Sequence, residues 1–275
     1  MRNVARKLAF VLAATNHGSL IVNRFDQRML DTDRGYGVGY QLLEAGSYEA
    51  IEVELGAQLL ELRRRYHGDG VLALDCGANI GAYAVEWSNT MTGWGSVMAI
   101  EPQERVYYAL AGNVALNNCF NAVAMHAAVG AENGIVMVPA LNFLTPSSFG
   151  NLELQPRDGN EYIGQDVDYS AQNCVPVQKI AIDTLDLQRV DLIKLDIEGM
   201  EMEALAGAAR TIERCQPIVL VETAKVEREE LRGWLTQRDY VVVDAGVNLL
   251  AIHRSDETLT QLQLDVLQMQ RSSAA

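Results

Sequence analysis

The chain is poor in the residues that would staple it or hold a metal. It has four cysteines and four histidines in 275 residues, with no CxxC pair and no histidine at ligand spacing from a cysteine. That excludes a zinc module and a disulfide framework. Cys76, Cys119, Cys174 and Cys215 read as reduced thiols, which suits a cytoplasmic protein. Positive charge is also scarce: 22 Lys and Arg stand against 36 Asp and Glu, a net charge of -14. The one dense basic cluster, Arg63-Arg64-Arg65, falls inside a helix-like stretch. Such a surface repels a phosphate backbone, so nucleic acid is not an expected partner. No apolar run is long enough to span a bilayer, so no membrane insertion is expected. Arg2, Arg6 and Lys7 precede the run Leu8 to Ala14 as in a minimal signal peptide, but the run is short and no small-x-small cleavage site follows. The preferred reading is an amphipathic helix with Val4, Leu8, Val11 and Leu12 on one stripe.

With 49% hydrophobic residues there is enough chain to bury one large α/β domain. Residues 1–66 read as an N-terminal cap: a helix, a strand-like run Ser19 to Phe25, a Gly-rich turn from Gly35 to Gly39, and a helix through Arg65. Over residues 67–255 short apolar runs alternate with helical periodicity, the signature of βαβ units. The expected strands are Val71 to Asp75, Ser96 to Glu101, Ala122 to Ala128, Asp191 to Asp196, Ile218 to Glu222, Tyr240 to Asp244 and Asn248 to His253. Helices are expected over Ala82 to Asn89, Glu104 to Asn117, Met200 to Cys215 and Glu227 to Arg238. The fold class that follows is α/β, a doubly wound, mostly parallel seven-stranded sheet with helices on both faces. Residues 139–175 break the pattern, rich in Pro, Gly, Asn and Asp, and are expected to be an inserted lid. The tail, residues 256–275, carries Leu259, Leu262, Val266 and Met269 at 3-4-3 spacing. It reads as a helix docked on the body or on a second subunit, which would make the chain a homodimer.

The strongest chemical signal is Leu74-Asp75-Cys76-Gly77-Ala78-Asn79-Ile80-Gly81, which follows an apolar strand and opens a helix. In a doubly wound sheet the ligand lies beyond the carboxyl ends of the strands, where such a turn lets backbone approach it closely. Asp75 can attract the ammonium of a bound amino acid, and Gly77 and Gly81 make room for the turn and for helix packing. The next strand ends in Glu101-Pro102, where a carboxylate can accept both ribose hydroxyls of an adenosine. Together these point to S-adenosylmethionine. A nicotinamide dinucleotide uses the same geometry, but Asn79 occupies the position of the middle glycine that lets backbone approach a pyrophosphate.

A second constellation, Val190-Asp191-Leu192-Ile193-Lys194-Leu195-Asp196-Ile197-Glu198-Gly199, ends a buried strand in two carboxylates at the same edge, and Glu222 ends the strand after it. Asp196, Glu198 and Glu222 could orient an acceptor, take its proton, or help hold Mg²⁺. Glu198 reads equally well as a first-turn acid of the following helix, and Lys194 as the ion-pair partner of a neighbouring carboxylate. His126 and His253 lie within or at the far end of strands and read as structural.

These segments resemble the FkbM-type methyltransferases, and the resemblance runs from about Gly35 to His253. It rests on Gly46-Ser47-Tyr48-Glu49, the Leu74 to Gly81 turn, Ala99-Ile100-Glu101-Pro102, Asn113 to Asn117, Ala127-Ala128-Val129-Gly130, and Ile182-Asp183-Thr184-Leu185 leading into Asp191 to Glu203. The resemblance implies a Rossmann-like fold, S-adenosylmethionine as cofactor and O-methylation of a hydroxyl on a sugar, polyketide or related metabolite. It places Asp75, Gly77, Asn79, Gly81 and Glu101 on the cofactor and Asp196 and Glu198 on the acceptor side; Pro102, Ala128 and Asp196 are further candidates for cofactor contact, and Glu222 for catalysis. Cys76 stands where valine or isoleucine is more usual, and the polar insertion around Asn151 to Gln172 is unusually long. A protein that keeps the fold without the chemistry, as a binding or regulatory module, is the alternative from another class.

Overall fold

The alternation of apolar runs and helical periodicity is realised in a computed structural model that describes residues 7–31 and 34–261. Strands β1 (Phe10–Thr15) and β2 (Gly18–Asn23) come first, followed by the short pair β3 (Arg28–Met29) and β4 (Gly35–Tyr36) and helices α1 (Val38–Ala45) and α2 (Ala50–His67). The central unit runs β5 (Val71–Cys76), α3 (Ala82–Thr90), β6 (Gly95–Glu101), α4 (Glu104–Leu116), β7 (Ala122–His126). After it come β8 (Ala128–Val129), β9 (Gly134–Pro139), β10 (Cys174–Ile180), β11 (Leu192–Leu195), α5 (Glu201–Gly207), α6 (Ala209–Cys215), β12 (Ile218–Glu222), α7 (Arg228–Thr236), β13 (Tyr240–Ala245) and β14 (Asn248–His253).

Seven strands form the main sheet in the order β13-β14-β12-β11-β5-β6-β7. All neighbours pair in parallel except β14, which is antiparallel to both β12 and β13. The chain reverses its direction of winding between β5 and β11, so the edge above these two strands is the switch point where a ligand crevice opens. Both faces are covered. Along β5, Leu72, Leu74 and Cys76 pack with residues of α5, α6 and α7, while Val71 and Ala73 pack on the other side with Leu59 of α2 and Trp87 of α3. A strand buried on both faces is apolar without alternation, which is why these runs were readable.

The N-terminal run departs from expectation. Residues Phe10 to Thr15 are a strand, paired antiparallel with β2 from Phe10↔Asn23 to Thr15↔Gly18. Leu12 is 64% exposed while Leu20 and Val22 are fully buried. The hairpin is fixed by a turn at Gly18, whose φ is +107°, and by docking on α4: Asn113 Oδ1 accepts the Ile21 N–H at 2.6 Å and Asn117 Oδ1 that of Ser19 at 3.1 Å. Arg2, Val4 and Arg6, like Leu262, Val266 and Met269 of the tail, lie outside the described residues. The helix expected through Arg65 is two helices, broken at Gly46 (φ +70°) and Glu49 (φ +43°). That expected from Met200 to Cys215 also divides, after Gly207, where a Cβ would come within 2.1 Å of the Gly130 carbonyl.

Residues 139–175 connect two strands of a second sheet. β9 and β10 pair antiparallel at either end of the segment, and β10 also pairs with β8, which splits the expected strand Ala122 to Ala128 in two. Phe149, Leu152, Leu154 and Ile163 are buried in the segment. Among the described residues no helix is long and apolar enough to cross a membrane.

Candidate active site

The crevice at the switch point has two halves. The first is made by the β5–α3 turn and the end of β6. Gly77 (φ +80°) lets the turn run against β11: a Cβ there would stand 1.7 Å from the Asp196 carbonyl. Gly81 (φ +89°) serves helix packing, since its Cβ would meet Leu110 at 2.6 Å. Between them Asn79 adopts the left-handed conformation (φ +48°) and donates its backbone N–H to Glu101 Oε2 at 3.0 Å. Glu101 Oε1 accepts the Gln103 N–H at 2.8 Å. Glu101 is 4% exposed, and burial pushes its carboxyl up to about 7 against these two hydrogen bonds. Ile100, Ala127 to Val129, Leu152 and Leu154 form the apolar lining beside it.

The second half is a cluster of ionisable side chains at the ends of β11 and β12. Lys194 donates to Asp196 Oδ2 at 3.1 Å and lies 3.7 Å from Asp75 Oδ1. Burial, and then the charge of Asp196, raise Glu222 to about 8. Glu198 sits in a left-handed turn (φ +54°) and is held well above the carboxylate range by burial, Asp196 and Glu222. Lys225, 3.8 Å from Glu198, offsets part of that. Asp196, Glu198 and Glu222 can each bring one oxygen within 4.8 Å of the others, the only such group of three found among the described residues. Facing them, the wall is made of Tyr36, Tyr48 and Glu49 from the N-terminal segment and Gly150 and Asn151 from the insertion.

Of the residues singled out from sequence, Gly77, Asn79, Glu101, Pro102, Ala128, Asp196, Glu198 and Glu222 line one continuous crevice. Asp75 and Gly81 do not. Asp75 is fully buried one layer beneath the wall, with neither oxygen hydrogen-bonded, and burial raises it to about 6 despite Lys194. His126 stacks on Tyr107 at 5.0 Å and bonds to the Pro102 carbonyl; His253 bonds to Ser255; neither lines the crevice. Sequence reasoning passed over Gln103, Tyr36 and Asn151, and used Tyr48-Glu49 only as a mark of resemblance. Lys194, a cation inside an otherwise apolar strand, was the one signal that could have drawn attention to its pocket-lining position.

A parallel sheet of this strand order, with a glycine turn and a buried acid at its switch point, defines a Rossmann-like methyltransferase fold. Residues 75–242 match the family described as the Methyltransferase FkbM domain, and the chain belongs to that family. The methyltransferase sdnD of Sordaria araneosa is 27% identical over 199 residues, which is 64% of this chain and 73% of sdnD. Among solved structures, a methyltransferase FkbM from Methylobacillus flagellatus KT aligns with a TM-score of 0.46 and 19% identity over 67% of this chain and 43% of that one. Precorrin-6y C5,15-methyltransferase from Geobacter metallireducens GS-15 aligns with a TM-score of 0.39 and 15% identity, over 73% of this chain and 84% of that one.

Proposed function

We propose that the chain is an S-adenosylmethionine-dependent O-methyltransferase whose acceptor is a hydroxyl of a small molecule or sugar. The observation that carries the cofactor is Glu101. Each of its oxygens takes one backbone N–H and, on a residue that lines the crevice, can accept one more hydrogen bond, the two acceptors that the hydroxyls of a ribose diol require. The apolar strip beside it suits an adenine ring. A dinucleotide fits less well, because the backbone N–H of Asn79 is already given to Glu101 and is not free for a pyrophosphate.

Bound there, the cofactor would supply an electrophilic methyl on a sulfonium sulfur. This chain's contribution is to place an acceptor oxygen in line with that methyl, to exclude water, and to receive the hydroxyl proton. Asp196 is the group best placed to receive it: it lines the crevice and Lys194 holds its carboxylate. Glu222 and Glu198, with carboxyls raised by burial and by Asp196, are held toward their protonated forms near neutral pH and can donate hydrogen bonds to a polyhydroxylated acceptor. The trio is assigned no Mg²⁺, because Lys194 and Lys225 already supply positive charge to Asp196 and Glu198. Residues 139–175 and the N-terminal segment form the wall that selects the acceptor.

The test is isothermal titration of the full chain with S-adenosylhomocysteine and with NAD, followed by labelled-methyl transfer to a panel of polyhydroxy and amine acceptors. Saturable binding of the first ligand and label on oxygen support the reading. An NAD isotherm alone, label on amines alone, or loss of transfer in a chelator would overturn the cofactor, the acceptor atom or the metal-free site respectively.

A further inference from the structure

Lys194 is the only Lys, Arg or His among the described residues that lines the crevice. It is 5% exposed, and three groups hold it: Asp196 at 3.1 Å, Asp75 at 3.7 Å, and the ring face of Tyr83 at 4.7 Å. The hydroxyl of the same Tyr83 donates to Glu49 Oε2 at 2.7 Å. Glu49 also lines the crevice and sits in the left-handed conformation (φ +43°) at the start of α2, a backbone strain that persists only where the surroundings enforce it. One phenol therefore separates a fixed ammonium from a fixed carboxylate, both beside the β5 turn. Their opposite signs complement a zwitterion. The other titratable groups that feel the Lys194 charge are Cys76 and Glu222. Neither supplies a second cation.

Resting on the cofactor reading above, we propose that Lys194 and Glu49 bind the amino-acid end of the cofactor, the Lys194 ammonium taking its carboxylate and the Glu49 carboxylate its ammonium. Asp75, buried behind Lys194 and unpaired by any hydrogen bond, positions that lysine and does not itself touch the ligand. This reassigns the acid of the glycine turn from direct contact to support. Burial opposes the charge on Lys194, and Asp196, Asp75 and Glu49 more than compensate, so the group stays an ammonium with a donor to spare.

Three probes separate the contacts by titration calorimetry: S-adenosylhomocysteine, its decarboxylated form, which keeps only the ammonium, and 5′-methylthioadenosine, which has neither group. Lys194→Met should weaken S-adenosylhomocysteine about tenfold or more, the loss of one charge-assisted hydrogen bond, and leave the other two within about threefold. Glu49→Gln should weaken the first two and spare the third. Because Lys194→Met leaves Asp75 buried beside no cation, the Asp75→Asn/Lys194→Met double variant, which removes both charges, should show the same selectivity. Equal weakening of all three probes by Lys194→Met would make it a packing residue, and no weakening would remove the contact; either overturns the proposal. A wild-type chain that binds none of the three overturns the cofactor reading itself, which distinguishes that failure from this one.

Discussion

The two halves of the crevice are built in opposite ways. The cofactor half is centred on one stretch of chain, Gly77 to Gln103, where a left-handed Asn79 gives its N–H to Glu101 across adjacent parallel strands, with Ala127 to Val129, Leu152 and Leu154 lining it. The acceptor half is assembled from four separate stretches, with Tyr36, Asn151, Asp196 with Glu198, and Glu222 meeting only through tertiary packing. Backbone groups dominate the first half and ionisable side chains the second. On the proposed function, backbone groups of one turn hold the cofactor and side chains from distant stretches of chain choose the acceptor.

The largest expected effects follow from that division. Asp196→Asn should lower turnover by about a hundredfold to ten thousandfold, the range for loss of a general base, while S-adenosylhomocysteine binding changes little. Single-turnover label transfer beside calorimetry checks it, and equal loss of both would move Asp196 into the cofactor half. Glu101→Ala should do the reverse to binding. Two hydrogen bonds to a charged group, roughly 1.5 kcal/mol or more each, amount to an affinity loss on the order of a hundredfold. Retained binding in that variant would remove the observation on which the cofactor assignment stands.

Legibility from sequence followed the same line. The β5 turn and the strands of the parallel sheet could be read because their determinants are contiguous: a doubly buried strand is an apolar run, and a strand-to-helix turn places its glycines and acids at fixed offsets. Strands β12 and β14 fell where expected to the residue. What escaped depends on partners far along the chain. Phe10 to Thr15 is apolar enough to read as either element, and it is a strand because Gly18 turns it back on β2, which Asn113 and Asn117 then hold. β9 and β10 find each other across residues 140–173, a separation no local pattern encodes. Asp75 was correctly placed at a strand end, but only the register Lys194↔Asp75 shows that the lysine stands between it and the crevice.

Stability measurements sharpen the comparison further. Gly77→Ala would put a Cβ 1.7 Å from the Asp196 carbonyl at a φ of +80°, so the ends of β5 and β11 must part. A loss above about 3 kcal/mol in denaturant unfolding is expected. Gly150→Ala, in the acceptor wall, meets only the movable end of Asn79 at 2.9 Å and should cost far less. The pH dependence has a definite sign. Glu222 is raised from 4.5 to about 8 and Glu101 from 4.5 to about 7. A carboxyl raised on folding binds its proton more tightly in the folded state, so its contribution is complete below 4.5 and is lost as pH climbs through the folded value. The unliganded chain should therefore weaken between pH 4.5 and about 8, and Glu222→Gln should flatten that fall in urea titrations at stepped pH.

The smallest expected effect tests whether the acceptor wall is separable from the cofactor half at all. Glu161 lies in the insertion and ties it to the rest of the wall: Lys225 at 2.6 Å, the Tyr36 hydroxyl at 2.7 Å, Asn151 at 3.2 Å and Arg28 at 3.3 Å. Burial opposes its charge, but Lys225, Tyr36 and Asn151 outweigh it and hold the carboxyl below the usual range. Its contribution is accordingly present above the ordinary carboxylate range and lost as pH falls through the depressed value. With its side chain 30% exposed, solvent screens the pairs, and Glu161→Gln should cost about 1 kcal/mol or less. The informative readouts are selective. Proteolytic cleavage within residues 139–175 should accelerate, while S-adenosylhomocysteine affinity should stay as it was, because Glu101 and the β5 turn make no contact with Glu161 among the hydrogen bonds of either group. If cofactor affinity fell in step with the faster cleavage, the insertion would be holding both halves together, and the division between a fixed cofactor site and a variable acceptor wall would have to be abandoned.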